Sequence, residues 1–216
     1  MAKEEPTIKP FEVLREKLEK FVQKVFAYKK WVILGVFIVI GVGGSFYAYN
    51  RIALKREEAA SFELFKALNV NDDKERLNIL NNLIDKFPST RSATIGRYLR
   101  AKEFMEEGKW DEAEKDLLKV IKNAPKPLKA GALCLLGDVL LQKGNYQEAL
   151  RKFKLCQKEG SGWLEGYALF KEATLLDQMG KTQEAILAYQ KLLPLLPPGE
   201  MELFVRIRLK ELGAEA

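Results

Sequence analysis

The side chains that could do chemistry are few, and their spacing does not assemble a reactive centre. Histidine is absent from all 216 residues, which removes the commonest general base and metal ligand. The two thiols, Cys134 and Cys156, cannot by themselves build a structural zinc site. The carboxylate pairs Glu57-Glu58 and Glu106-Glu107 are adjacent on exposed helical stretches, the pattern of a solvated surface. The run Gly41-Val42-Gly43-Gly44-Ser45 is glycine-rich but lacks the lysine of a phosphate loop, and no Gly-x-Ser-x-Gly elbow occurs. The expectation is a chain with no catalytic residue, no metal and no cofactor.

The residues that are patterned have mechanical roles. Gly108-Lys109-Trp110-Asp111-Glu112-Ala113, Gly144-Asn145-Tyr146-Gln147-Glu148-Ala149 and Gly180-Lys181-Thr182-Gln183-Glu184-Ala185 follow one another at a period of 36 residues. Each glycine suits the end of a helix, where the chain turns through a conformation that other residues adopt at a cost. The acidic residue before each alanine favours the first turn of the next helix, and the alanine allows close approach. Ala101, Gly137 and Ala173 keep the same period, as do Phe104, Leu140 and Leu176; Leu117, Phe153 and Tyr189; and Val120, Cys156 and Leu192. Such a repeat marks helix pairs that cannot bury their apolar faces alone and must stack.

These residues closely resemble the tetratricopeptide (TPR) repeat. The second repeat carries the pattern best, with Leu133, Leu136-Gly137, Leu140, Gly144, Tyr146, Ala149 and Phe153. The first departs from it at Arg97 and Arg100, where apolar residues are usual, and the third at Glu172 and Thr182. The resemblance implies an all-α solenoid over residues 51–216: a degenerate pair at 51–88, repeats at 90–125, 130–161 and 166–198, and a capping helix at 201–212. It also implies a concave partner-binding groove lined by Tyr98, Lys102, Met105, Cys134, Asp138, Leu141, Tyr167, Phe170, Thr174 and Asp177. In that register Cys134 points to the groove while Cys156 lies between helices, so no bridge between them is expected.

Residues 31–50 carry no charge, against 8 basic and 5 acidic side chains in residues 1–30 and 28 and 25 in residues 51–216. An uncharged run of this length suits one membrane span, with Trp31 at one end and Tyr47 and Tyr49 at the other in the manner of interfacial aromatics. The expectation is a transmembrane signal anchor at 31–50, with Gly41 and Ser45 as a small pair for helix packing in lipid. Lys17, Lys20, Lys24, Lys29 and Lys30 precede it closely, while Arg51, Lys55 and Arg56 follow. That excess places the N-terminus in the cytoplasm and the repeats outside it. Residues 1–30 form a basic leader, disordered over Met1–Lys9 and then patterned as an amphipathic helix from Pro10. No basic stripe with interleaved aromatics occurs, so nucleic acid is not an expected partner.

The whole layout is similar to the bacterial inner-membrane TPR proteins described as ancillary subunits of the Sec translocon (YfgM-like). That resemblance implies a non-enzymatic tether between periplasmic chaperones, or emerging unfolded polypeptide, and the Sec channel. Its rivals are a TPR scaffold for envelope or cell-division machinery and a cytosol-facing targeting receptor.

Overall fold

The computed structural model describes residues 10–214; the expected disorder of Met1–Lys9 lies outside them. They form helices and connecting turns without a strand among the described residues. The chain divides into two compact units, Met1–Leu54 and Lys55–Ala216.

In the first unit, α1 (Pro10–Ala27) starts on a proline, whose fixed φ suits a first helical residue. Phe11, Leu14, Leu18, Phe21, Val22 and Val25 are all exposed along it, and the pairs Arg15–Glu19 (3.0 Å) and Glu16–Lys20 (2.6 Å) lie at i,i+4 spacing. After Tyr28, α2 (Lys29–Asn69) begins. An 18-residue window of it has a mean hydropathy of 2.0 with none of its residues buried, so by length and composition it could cross a membrane. Cβ atoms built on Gly35, Gly41, Gly43 or Gly44 would meet nothing within 4 Å among the described residues.

In the second unit the last turns of α2 are followed by α3 (Asp73–Lys86), α4 (Arg91–Glu106), α5 (Trp110–Asn123), α6 (Lys126–Gln142), α7 (Tyr146–Glu159), α8 (Trp163–Gln178), α9 (Thr182–Leu192) and α10 (Glu200–Glu211), with a 3-10 turn at Leu193–Leu195. Sequence neighbours pack on one another from α3 to α9, and α4 touches α6 as α6 touches α8. That is the contact pattern of a TPR-like solenoid.

Local chemistry sets the helix limits. Asp72 caps α3 by accepting from the Glu75 amide at 2.8 Å, and Thr90 caps α4 through the Ala93 amide at 3.1 Å. The three signature glycines have φ of +72°, +76° and +70°. After them the amides of Lys109, Asn145 and Lys181 reach back to the carbonyls of Phe104, Leu140 and Leu176 at 2.7, 2.8 and 2.9 Å, the bond that closes a helix through a left-handed glycine. Trp110, Tyr146 and Thr182 then open the next helices. Two helices start earlier than the repeat boundaries expected at 130 and 166. Helix α6 starts at Lys126 with Pro125 as its cap and Pro127 in its first turn, where a missing N–H costs nothing; α8 starts at Trp163, after Gly162 turns the chain at φ +61°.

The period-36 residues make the core. Leu117, Phe153 and Tyr189 are essentially fully buried, as are Ala101 and Ala173. At Gly137 a Cβ would stand 2.5 Å from Cε1 of Phe153, so the ring occupies the volume that a side chain would need. At the start of the stack, the Glu57 carboxylate, near the end of α2, receives the backbone amides of Arg91 and Ser92 at 2.8 and 2.9 Å and the Ser92 hydroxyl at 2.7 Å. An anion thus sits on the positive end of α4. Burial alone would raise the Glu57 pKa; the Ser92 hydroxyl and the two amides outweigh it and hold it below the usual value. Ala60, Leu64 and Ala67 of α2 join Leu80, Leu83 and Ala93 in one small apolar cluster.

Substituting Gly137→Ala should destabilise the repeat domain by about 1–3 kcal/mol through overpacking against Phe153, read as a lower thermal or urea midpoint. An unchanged midpoint would mean that the ring is not fixed there.

Candidate functional site: the face of helices α4, α6 and α8

The ten groove residues lie on α4, α6 and α8. The structure uses most of them for contacts between repeats. Tyr98 is half-buried, and a Cβ on Gly131 of α6 would be 3.1 Å from its hydroxyl oxygen; burial raises its pKa. Met105, Leu141 and Phe170 pack against the main core. Lys102 is exposed. The Thr174 hydroxyl donates to the Phe170 carbonyl of its own helix at 2.9 Å.

Both acidic positions are engaged from the helix two places further along the chain. The Tyr167 hydroxyl of α8 donates to Asp138 Oδ2 of α6 at 2.5 Å, and Lys171 Nζ stands 2.8 Å from Oδ1. Burial, reinforced by that carboxylate, pushes the Tyr167 pKa above its ordinary value. Asp177 of α8 receives a fork from Arg208 of α10, with Nε on Oδ2 at 2.6 Å and Nη2 on Oδ1 at 2.9 Å. The Tyr189 hydroxyl lies 3.5 Å from the same carboxylate, and burial followed by that charge pushes its pKa up to about 12. Phe170 meets Phe204 of α10 edge-on, with ring centroids 6.1 Å apart. The capping helix therefore occupies the third repeat's share of the face, and Val205 and Leu209 are fully buried beneath it.

Cys134 requires a correction. It is only 2% exposed and forms a disulfide with Cys156, with Cα atoms 5.4 Å apart, well inside bridging reach. The register argument gave position 134 an open side, but α6 is flanked by α4, α5, α7 and α8 and has little open face. Leu133, Cys134, Cys156 and Ala168 form one buried cluster.

Sequence reasoning missed the partners Lys171 and Arg208, which read as ordinary surface cations until their helices are placed. It also missed Gln157, whose amide donates to Glu172. Glu172 and Arg97, noted as departures from the repeat pattern, prove to be buried.

A protein-family model described as tetratricopeptide repeat-like domain matches residues 25–214. The chain belongs to the tetratricopeptide repeat-like domain family. No curated protein matches it. Among solved structures it is similar to a crystal structure of MamA at 19% identity and a TM-score of 0.55, covering 66% of this chain and 80% of that one. It is also similar to MamA, residues 41 to the end, from Desulfovibrio magneticus RS-1, at 18% identity and a TM-score of 0.56, covering 73% and 88%. The C-terminal part of a TPR repeat-containing protein from Cytophaga hutchinsonii gives 17% and 0.54, with 72% of this chain and 56% of that one covered. At these identities the likeness shows the fold alone. A TPR-like scaffold of this kind points to protein partners in general.

The bridge closes a loop of 22 residues within one helix pair. Cys134→Ser with Cys156→Ser should lower stability by about 2–4 kcal/mol, and a reductant should lower the melting temperature of the natural chain but not of the variant. Equal response of both to reductant would argue that the bridge is not formed.

Proposed function

We propose that this chain is a membrane-anchored scaffold and an ancillary subunit of the Sec translocon, linking periplasmic chaperones or emerging polypeptide to the channel. In this reading residues 31–50 are a single-pass signal anchor in the bacterial inner membrane, the N-terminus is cytoplasmic and the repeats are periplasmic. The observation that carries the anchor is the wholly uncovered apolar window of α2; so much exposed apolar side chain is costly in water and favourable in lipid. The Lys29-Lys30 pair before it supports the orientation. The Cys134–Cys156 disulfide supports export, since such bridges persist in oxidising compartments and are rare in the cytosol. It speaks against a cytosol-facing receptor. The role at the Sec channel rests on the likeness of layout to the YfgM-like proteins.

Copurification of the full-length chain in mild detergent, beside a form lacking residues 1–50, tests this. Recovery of Sec channel subunits with the full chain, and at least about tenfold less without the span, is the expected result. Recovery of another envelope complex with no Sec component would overturn the translocon role.

A further inference from the structure

Arg97 and Arg100 occupy places in α4 whose counterparts one period later are Leu133 and Leu136, which are 3% and 1% exposed. Two leucines there fill the space between successive helix pairs. In the first repeat that space is instead an open cleft of about 430 Å³ between α3, α4 and α5, with Phe104, Lys115 and Lys119 also on its wall. None of its lining residues belongs to the groove set described above.

The two guanidiniums have unequal fortunes. Arg100 forks onto Asp116 at 2.7 and 2.9 Å and donates a third bond to Asn81 at 2.7 Å; the Asp116 side chain is only 3% exposed. That carboxylate is committed. Arg97 is 8% exposed, gives Nη1 to the Pro88 carbonyl at 3.1 Å, and leaves its buried Nε without an acceptor. Burial disfavours its charged form and the neighbouring Arg100 charge adds to that, while the charges of Asp116 and Asp85 offset it only in part. The remaining acids of the cleft, Asp85 and Glu112, are exposed, and neither bonds Arg97 among the described residues. A buried cation with an orphan donor is costly unless an anion compensates it, and planar guanidinium donors match a carboxylate. Lys115 and Lys119 are exposed beside the opening and add positive charge where such a group would enter.

We propose that this cleft is a receptor for a single carboxylate of an acidic polypeptide partner, with Arg97 as its buried anchor and Lys115 and Lys119 at its rim. The inference draws on the reading of the chain as a protein-binding scaffold but not on the identity of the partner. Its test uses small probes, so that its failure is distinguishable from failure of the translocon reading.

Glutarate, its uncharged analogue glutaramide and inorganic phosphate are each titrated, at matched ionic strength, into the 15N-labelled full-length chain in detergent. The arginine Nε–H resonance that disappears in Arg97→Leu is followed. Glutarate should shift it saturably and glutaramide should not; Lys119→Ala, at an exposed position, should weaken glutarate binding about tenfold while the Arg97 resonance persists. Blocked tripeptides carrying either one glutamate side chain or a free C-terminus then tell which carboxylate the cleft takes. Absence of a glutarate-dependent shift overturns the proposal. A shift with phosphate alone, or equal shifts with glutarate and glutaramide, overturns it as well.

Discussion

The close approach of two helices at Gly137 is the contact on which the rest of this domain depends. Phe153 fills the space left by the missing side chain, and Ala101 and Ala173 are buried at the equivalent places one period either side. Because each helix pair is too thin to exclude water by itself, the apolar faces it leaves must be covered by the next pair. The two ends of the stack are therefore as informative as its middle. At the start, Glu57 binds the amides that open α4. At the finish, α10 buries Val205 and Leu209 and fixes itself through the Arg208 fork on Asp177. Both closures combine apolar burial with a charge-assisted contact, which adds direction that apolar contact lacks.

The same economy of contacts explains why the groove is less open than a row of helix faces suggests. Asp138 and Asp177 are neutralised by Lys171 and Arg208 from following helices, and Phe170 is taken up by Phe204. The polar departures from the repeat pattern moved elsewhere, to the spaces between successive pairs. Arg97 and Arg100 occupy one such space, and Glu172, satisfied by Gln157 with Lys154 3.4 Å away, occupies another. Charge buried in those places costs stability, so the first repeat gives up packing that the second retains through Leu133 and Leu136.

Much of the fold was legible because its signals are local. The glycine turns and the helix pairs follow from periodicity, and Gly108, Gly144 and Gly180 adopt the positive φ that such turns require. The early starts of α6 and α8 were not legible, since the apolar period marks where a helix packs and not where its first turn begins. The Cys134–Cys156 bridge was hidden for a different reason. Register fixes a residue's direction on its own helix, but the number of neighbours around α6 decides whether that direction is open. The candidate face was readable as a list of positions. Its state was not, because Lys171 and Arg208 reach it from helices whose placement only the three-dimensional structure supplies.

Stability in this account is set repeat by repeat, by what fills the space between helix pairs. Hydrogen exchange of the full-length chain, read by mass spectrometry with the disulfide reduced so that packing alone differs, tests that claim most directly. The slowest exchange should fall in α6 and α7, behind Leu133, Leu136 and Phe153, with α4 and α5 exchanging faster beside the polar cleft. Protection in α4 and α5 equal to or greater than that in α6 and α7 would contradict it.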